Sequence, residues 1–208
     1  MPADYQQMIA SLLAFYDFEA KTVLDVGGGG GQLIEFGRAA GRVMALDVDP
    51  TALERLRESL RKAGLEDKFE LIQDDFFKID LRADVVLFEF CLHEMTDPGA
   101  AVERARAMAP DVVVFDHWPG SPWSFVGGEE DKVAASWASL GRFPVKKKQR
   151  CETHQVFRDY EQLYERVKDL GRTSLARVAG FQGKTDIRIP MPYGLALLEG
   201  RNVMEVCP

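Results

Sequence analysis

A short apolar run leads straight into five consecutive glycines in Thr22-Val23-Leu24-Asp25-Val26-Gly27-Gly28-Gly29-Gly30-Gly31. The first five residues have the composition of a buried β-strand. Because glycine has no Cβ, the backbone after this strand can turn tightly, and a ligand can lie against bare main chain. The stretch therefore predicts a nucleotide-type binding loop at the carboxyl end of a strand.

Outward from this loop, short apolar runs alternate with longer segments of helical spacing. The runs are almost continuously apolar, as in a parallel sheet covered on both faces, and predict strands at Thr22–Val26, Arg42–Val48, Phe69–Asp74, Asp84–Phe90 and Asp111–Asp116. The segments between them predict helices at Gln32–Ala40, Pro50–Ala63 and Gly99–Ala109. Asp49 supplies an N-cap before Pro50, and Gly64 ends that helix. This alternation predicts βαβ units and an α/β fold.

The glycine spacing excludes two common phosphate-binding loops. A dinucleotide-binding loop needs a glycine where this chain has Gln32, Leu33 or Ile34, depending on the register. A P-loop needs lysine and then serine or threonine after its last glycine, and the same three residues stand there instead. The sequence has an acid two residues before the first of three alternating glycines: Asp25, Gly27, Gly29 and Gly31.

With this pattern the chain resembles the class I S-adenosylmethionine-dependent methyltransferases, over about residues 20–116. The resemblance implies a Rossmann-like, doubly wound α/β sheet of seven strands in the order 3-2-1-4-5-7-6, with the last strand antiparallel and an insertion after strand five. It also implies S-adenosyl-L-methionine as the cofactor. A carboxylate at Asp25 suits the cationic amino-acid end of that ligand and would repel a pyrophosphate. The alternative is a structural glycine turn that Asp25 caps.

Other strand ends carry residues that the resemblance places at the cofactor. Asp47 ends the second strand, where a carboxylate can accept hydrogen bonds from both ribose hydroxyls. After the third strand, Asp75 and Phe76 match an acid and an aromatic ring that contact adenine, and Asp74 can share or exchange the role of Asp75. The end of the fourth strand is implied to lie beside the methionine moiety. The cofactor candidates are Asp25, Gly27, Gly29, Gly31, Asp47, Val48, Asp74, Asp75, Phe76, Phe88 and Glu89.

Two histidines that follow neighbouring strands are the catalytic candidates. The resemblance is strongest to small-molecule O-methyltransferases, which implies that His93 takes the acceptor proton; alternatively, His93 closes its loop structurally. His117 is a second acid/base candidate, because an imidazole titrates near neutral pH. His154 is expected above the same edge of the sheet. A metal site that joins histidines to Cys91 and Cys151 is conceivable, but the chain has no Cys-x-x-Cys pair, and we predict no metal.

The segments at either side of this region are predicted from composition and periodicity alone. Residues 1–20 predict an N-terminal helix, at about Asp4–Phe18, that acts as a lid or a dimer contact. Residues 117–157 hold all three tryptophans and many turn residues, which predicts an irregular insertion on the substrate side. Its aromatic residues would cap the core or line a ligand pocket. Its basic run, Lys146–Arg150, would form a solvated face.

The last part of the chain predicts one helix and two strands. Asp159–Leu170 has helical spacing, and Lys184–Ile189 and Tyr193–Glu199 have the composition of strands. The link between these strands, Pro190-Met191-Pro192, is so short that it predicts antiparallel neighbours.

Composition limits the function classes. At 208 residues the chain predicts one domain over residues 1–208, and 26 Lys and Arg against 33 Asp and Glu disfavour a general nucleic-acid binder. Its apolar runs fall far short of the ~20 residues that cross a bilayer. The N-terminus lacks the features of a secretory signal, and Cys91, Cys151 and Cys207 cannot form a disulfide framework, so a cytoplasmic location is expected.

These observations predict S-adenosylmethionine-dependent methyl transfer to a small-molecule acceptor, by a monomer or homodimer without nucleic-acid or membrane partners. Two alternatives stay open. A methyltransferase that acts on protein or RNA would need a docking surface, which only Lys146–Arg150 offers. A non-catalytic cofactor-binding interaction module would keep the same cofactor residues. The acceptor atom, whether oxygen, nitrogen, sulfur or a metalloid, is not encoded in these motifs.

Overall fold

The computed structural model describes residues 4–201, so Cys207 and both ends of the predicted 1–208 domain lie outside the described residues. The α-helices in this range are α1 (Tyr5–Phe15), α2 (Pro50–Ala63), α3 (Pro98–Met108), α4 (Pro122–Gly127), α5 (Glu130–Leu140), α6 (Tyr160–Val167) and α7 (Arg172–Val178). The strands are β1 (Thr22–Val26), β2 (Arg42–Asp47), β3 (Phe69–Gln73), β4 (Val85–Glu89), β5 (Asp111–His117), β6 (Val145–Cys151), β7 (His154–Asp159), β8 (Thr185–Pro190) and β9 (Tyr193–Glu199). None of these helices is long and apolar enough to cross a membrane.

One large sheet has seven strands in the order β3-β2-β1-β4-β5-β9-β6. Strands β1 to β5 pair in parallel, and β9 runs antiparallel to both of its neighbours, β5 and β6. If only the strands of this sheet are counted along the chain, β9 is strand seven. The order is then 3-2-1-4-5-7-6, with strand seven antiparallel. The predicted Rossmann-like topology is therefore confirmed.

Local signals place the first five strands and α2 closely. The predicted strand Thr22–Val26 is β1, and the next four predicted strands each lie within one residue of the observed ends. The Asp49 side chain accepts a hydrogen bond from the Thr51 N–H at 2.8 Å, Pro50 begins α2, and Gly64 ends it at φ +66°. The predicted bounds of this helix are confirmed, because capping residues fix both of its ends.

The helix predicted at Gln32–Ala40 is wrong. Only Ile34–Arg38 is helical, as a short 3₁₀ segment. Gly37 lies inside it, where glycine costs about 1 kcal/mol relative to alanine in an α-helix. A Cβ at Gly37 would collide with the Phe69 ring, so the backbone packs directly against β3. Close packing outweighs helical spacing in this segment.

The segment predicted to be an irregular insertion is also ordered differently. Residues 117–157 contain α4, α5 and β6, and β6 is the edge strand that completes the large sheet. The basic run Lys146–Arg150 belongs to β6 and is exposed, in agreement with the predicted solvated face. Since β6 has no alternation of apolar and polar residues, periodicity could not identify it as a strand.

The prediction that the last two strands pair with each other is wrong. β8 pairs with β7 in a separate two-stranded sheet, whereas β9 enters the large sheet. The link at 191–192 does not reverse the chain but carries it from one sheet into the other, and β6 and β7 are joined in the same way. The Met191 N–H, in the link between β8 and β9, donates to the Thr153 carbonyl, in the link between β6 and β7, at 2.8 Å.

Two apolar layers sandwich the large sheet. One layer is α3 and α5. The opposite layer contains a group of elements, α1 among them, near the carboxyl ends of β4 and β5. We call this group the cap; it consists of α1, α4, α6, α7, β7 and β8. Trp137 is buried against the sheet, and Trp123 joins the core of the cap. The cap places polar side chains opposite the ends of the parallel strands, where open α/β sheets bind ligands.

Candidate active site

The glycine loop after β1 is a bare backbone surface. Gly27 has φ +80° and Gly31 has φ +64°, conformations that L side chains rarely adopt. A Cβ at Gly27 would collide with Cys91, and a Cβ at Gly29 would collide with the carboxylate of Asp47. Gly31 instead faces α2, so its role is in the turn. The loop therefore brings β1, β2 and the segment after β4 closer together than side chains would allow.

A cavity of about 280 Å³ opens beside this loop, and we call it the loop cavity. It crosses the carboxyl ends of β1 to β4. Six of its lining residues were predicted as cofactor contacts: Gly27, Asp47, Val48, Asp74, Asp75 and Phe76. The others are Val26, Leu46, Cys91, Glu94 and Met95. The predicted ribose and adenine residues thus meet in one cavity.

Backbone hydrogen bonds orient the carboxylates of this cavity. The Asp47 Oδ1 accepts from the Asp49 N–H at 2.9 Å, and the Asp75 Oδ1 accepts from the Phe77 N–H at 2.9 Å. The Asp74 Oδ1 accepts from the Asp75 N–H at 2.7 Å. Within residues 4–201 the Oδ2 atoms of Asp47 and Asp74 make neither a hydrogen bond nor an ion pair, whereas the Asp75 Oδ2 lies 3.5 Å from the Lys78 Nζ. Asp47 and Asp74 are therefore held in place while one oxygen of each remains available to a ligand.

Five predicted contacts do not line the cavity, and two of them, Phe88 and Glu89, lie at the end of β4. Phe88 is fully buried and packs edge-on against Phe76, with ring centroids 5.4 Å apart, so it supports the aromatic wall from behind. Glu89 is also buried and lies near Asp25. Their place at the end of β4 agrees with the sequence-based expectation, but neither side chain is in the loop cavity.

Asp25 and Glu89 form a buried acidic pair. Burial, together with the charge of Asp47, raises the pKa of Asp25 to about 7. Burial and the charge of Asp25 raise the pKa of Glu89 well above its usual value. The Asp25 Oδ1 is buried without a hydrogen-bond partner among the described residues. Buried carboxyl groups beside a bare glycine loop fit a ligand with a cationic ammonium group, such as the amino-acid end of S-adenosylmethionine.

His93 and Asp116 form a second buried pair, at the ends of β4 and β5. The His93 Nδ1 lies 2.6 Å from the Asp116 Oδ1, and the His93 N–H donates to the Asp116 Oδ2 at 3.0 Å. When the Nδ1–H donates to Asp116, the neutral imidazole presents an unprotonated Nε2 on its other side. That Nε2 lies 3.4 Å from Glu94 and 3.8 Å from Glu129. The arrangement holds an oriented base at the edge of the sheet.

The two histidines have opposite electrostatic environments. Burial lowers the pKa of His93, but the hydrogen bond and charge of Asp116, with the charges of Glu129 and Glu94, raise it above 6.5. Burial lowers the pKa of His117 to about 4, and its Nδ1 has no hydrogen-bond partner in the described part of the chain. The ring centroids of His93 and His117 are 5.5 Å apart. His93 is therefore the better proton acceptor, and His117 stays neutral.

Two further cavities lie between the sheet and the cap. The cap cavity has about 200 Å³ and is lined by Phe90, His93, Glu94, His117, Trp123, Gly127, Glu129, Arg166 and Leu170. The second cap cavity has about 140 Å³ and is lined by Tyr5, Met8, Gln32, Phe90, His117, Trp123, Gln155, Arg166 and Met191. Glu94 lines both the loop cavity and the cap cavity. A ligand in the loop cavity and a ligand in the cap cavity would thus share a boundary.

The predicted histidine cluster forms only in part. His154 is exposed and lines a separate groove with Arg188, so it does not join His93 and His117. Cys91 and Cys151 are free thiols. The potential metal ligands that do come together are His93, Glu94 and Glu129, within 4.8 Å of one another. The sequence-based hypothesis of a His/Cys metal site is therefore not supported by the positions of the cysteines.

Sequence reasoning missed several residues of the cap cavity. Asp116 stood in the sequence as the neighbour of His117, with no signal that it would hold His93. Arg166 and Tyr5 lie on cap helices, and Glu129 lies between α4 and α5, where no motif marks them. Only the tertiary structure brings these residues to the ends of β4 and β5.

Comparison with known proteins places this geometry in a family. Residues 23–111 match the family described as a methyltransferase domain. The chain is 39% identical over 113 residues to a mitomycin biosynthesis 6-O-methyltransferase from Streptomyces lavendulae, which is 50% of this chain and 32% of that protein. It is 40% identical over 75 residues to a ribosomal protein L11 methyltransferase from Alteromonas mediterranea, which is 34% of this chain and 25% of that protein.

The chain thus spans about a third or less of the length of these two relatives. Its fold extends further: a crystal structure of an S-adenosylmethionine-dependent methyltransferase from Aquifex aeolicus superposes with a TM-score of 0.58 at 21% identity, covering 95% of this chain and 90% of that one. The domain match, the strand order and the glycine loop agree with one another. Residues 23–111 therefore carry a methyltransferase domain, and nearly the whole described chain shares the fold of the methyltransferase from Aquifex aeolicus.

Proposed function

We propose that this protein transfers a methyl group from S-adenosylmethionine to a small-molecule acceptor, with His93 as the general base and residues 1–208 acting as one methyltransferase domain. The observation that carries the proposal is the shared boundary at Glu94 between the loop cavity and the cap cavity. His93, held by Asp116, stands on the cap side of that boundary. A cofactor and an acceptor in adjoining cavities would meet beside an oriented base.

The residues of the loop cavity suit each part of the cofactor. Asp47 would accept hydrogen bonds from the ribose hydroxyls, and Asp75 with Phe76 would contact the adenine. Gly27 and the buried Asp25 would hold the amino-acid end. When bound, S-adenosylmethionine supplies a methyl group made electrophilic by its sulfonium. The chain has to position that methyl group in line with the acceptor atom.

His93 would accept the proton that the acceptor hydroxyl loses. Where the acceptor oxygen takes the methyl group and the methyl–sulfur bond breaks to leave S-adenosylhomocysteine, the His93 Nε2 would accept the proton of the acceptor O–H group. Asp116 stabilises the imidazolium through the Nδ1 hydrogen bond at 2.6 Å. Glu129 and Glu94, within 4 Å of the Nε2, stabilise the same positive charge. This proposal assigns the proton-accepting step to a side chain that is already oriented for it.

The size of the cap cavity favours a small acceptor. Its volume of about 200 Å³ and its position beneath α6 leave room for one ring with its substituents. The similarity to a ribosomal protein L11 methyltransferase supports a macromolecular acceptor as the second candidate. The two candidates differ in whether the methylated product is a small molecule or a polymer.

Two measurements test the proposal in sequence. Calorimetric titration with S-adenosylmethionine and S-adenosylhomocysteine, with NAD as the control ligand, should show micromolar binding of the adenosyl ligands alone, weakened by Asp47→Ala. Incubation of cell extract with radiolabelled S-adenosylmethionine should then place the label in the small-molecule fraction, and His93→Ala should abolish it. Label in protein or RNA favours the second candidate. Binding of NAD in place of the adenosyl ligands contradicts the cofactor assignment.

A further inference from the structure

We infer that the acceptor carries a carboxylate and that Arg166 binds this group. The inference rests on the proposed function, because it takes the cap cavity as the acceptor site. It concerns the substrate class, which neither the motifs nor the relatives specify.

Arg166 is held at the junction of the two cap cavities. Its neighbours on α6, Leu163 and Val167, are both fully buried, so the helix is fixed against the core of the cap. Arg166 lines the cap cavity and the second cap cavity. Phe90, His117 and Trp123 line both as well. The exposed Arg166 side chain therefore borders two adjoining cavities that share three aromatic residues.

Several cations of the cap have acidic partners, whereas Arg166, like Arg172 and Arg188, has none among the described residues. Arg158 pairs with Asp159, Lys168 pairs with Glu165, and Arg177 makes a bidentate pair with Glu130. Across residues 4–201, Arg166 makes neither an ion pair nor a hydrogen bond. A guanidinium offers five N–H donors in a planar fork that matches a carboxylate. An anionic ligand group would satisfy those donors inside the cavity.

Tyr5 reaches the same place from α1. Burial raises the pKa of the Tyr5 hydroxyl, the charge of Arg166 opposes this shift, and the charge of Glu89 adds to it. Tyr5 and Arg166 both line the second cap cavity. A phenol and a guanidinium from two different cap helices are therefore available as donors to a carboxylate in that cavity.

The part of the cap cavity near His93 and Glu129 favours a hydroxyl group over a second anion. His93 and Glu129 line the cap cavity, and Glu129 would repel a second negative charge there. A phosphate would bring about −1.5 to −2 charges near Glu89 and Glu129, whereas a carboxylate brings one. The acceptor that fits is a planar hydroxy acid, with its hydroxyl at His93 and its carboxylate at Arg166, stacked between Phe90 and Trp123.

The test compares matched pairs of ligands. The probes are hydroxylated benzoates, phenylacetates and cinnamates, each with its carboxamide, titrated by calorimetry into protein that is saturated with S-adenosylhomocysteine. We expect at least one carboxylate to bind about 10-fold more tightly than its amide, since a charge-assisted pair is roughly twice as strong as a neutral hydrogen bond. Arg166→Ala should abolish this preference, and Arg166→Lys should retain part of it.

The matched control is Arg172→Ala, which removes an equal charge from an exposed position that lines neither cap cavity. It should leave the preference unchanged. The inference is overturned if no carboxylate is preferred in the panel, or if the preference survives in Arg166→Ala. Titration with S-adenosylhomocysteine alone reports separately on the proposed function, so failure there is distinguishable from failure of the carboxylate site.

Discussion

The Asp116 carboxylate organises the ends of two strands by itself. It accepts hydrogen bonds from the His93 N–H at 3.0 Å and the His117 N–H at 2.8 Å, and it holds the His93 Nδ1 at 2.6 Å. With none of its surface exposed, it has no water to compete for these bonds. Asp116 is therefore a positioning residue that acts on the acceptor through His93.

Replacing Asp116 should change the titration of His93. In the native protein the His93 pKa lies above 6.5. The imidazole loses its proton, and so becomes a base, as the pH rises through this pKa. Asp116→Asn removes the charge that raises the pKa and leaves the burial that lowers it, so the midpoint should fall. An NMR titration of the histidine ring protons measures this shift without any acceptor. An unchanged midpoint would contradict the assignment of Asp116.

Turnover should follow the same titration. Once an acceptor is known, kcat/KM should rise with pH with a midpoint above 6.5, and His93→Ala should lower it by about 10²-fold or more, the usual contribution of a general base. Addition of EDTA is the control for the cluster of His93, Glu94 and Glu129. Activity that survives EDTA supports a base, whereas activity lost to EDTA and restored by a divalent metal contradicts that role.

Asp25 predicts a conflict between stability and binding. Its folded pKa of about 7 lies above the unfolded value of 3.8, so the unfolded chain ionises first and stability falls as the pH rises from about 4 to about 7. Asp25→Asn has no proton to lose. At pH 8 it should be more stable than the native protein by about 2–4 kcal/mol, and it should bind S-adenosylmethionine more weakly.

Urea unfolding at pH 5 and pH 8, with calorimetry of the cofactor, measures both effects. The matched control is Asp80→Asn, an exposed carboxylate outside the cavities, which should change neither stability nor affinity. If the stability difference between Asp25→Asn and the native protein does not grow between these pH values, Asp25 ionises freely in the folded state.

The two buried carboxylates were not equally predictable. Asp25 lies at a fixed distance from the glycines, and this spacing follows from the local geometry of a strand and its turn. Asp116 acts on a histidine 23 residues away, across two parallel strands and a helix. No local pattern records such a pairing. The Asp25 contact could be expected from the sequence, whereas the His93–Asp116 pair required the fold.

The glycine loop predicts a sharp difference between two glycines. Gly29→Ala would press a methyl group against the Asp47 carboxylate and Ala52, and overpacking of this kind costs about 1–3 kcal/mol. If Asp47 shifts to relieve it, S-adenosylhomocysteine affinity should fall by about 10- to 100-fold. Gly180→Ala adds the same group in open space without strain and should change nothing. Calorimetry on both variants checks this, and equal affinities would contradict close packing at the loop.

Elements were predictable where capping or continuous burial marked them. α2 carries a signal at each end, and β4 is buried throughout and apolar up to Glu89, because both of its faces are covered. β6 carries neither signal: it is an exposed edge strand, and it holds its place through pairing with β9. The turn between β8 and β9 was misjudged because a proline-rich link can carry a chain from sheet to sheet as readily as it can reverse it.

Ligand binding should stabilise the protein as a unit, because the loop cavity is built from the ends of four strands. S-adenosylhomocysteine at about 100 times its Kd should add about 2.7 kcal/mol, which for a chain of this size is about 5–10 °C in Tm. Thermal unfolding followed by circular dichroism measures the shift. NAD should give none, and Asp47→Ala should reduce the shift at the same ligand concentration. A shift that is unaffected by Asp47→Ala would place the ligand elsewhere.

The position of β9 between β5 and β6 has a consequence for synthesis on the ribosome. β6 is synthesised well before β9. In the described part of the chain, β9 is the strand with which β6 pairs in the large sheet. A nascent strand without a partner is prone to aggregate. Four cations, Lys146, Lys147, Lys148 and Arg150, keep β6 hydrated during that interval. The same charge that hid this strand from sequence analysis would protect the growing chain until β9 arrives and closes the sheet.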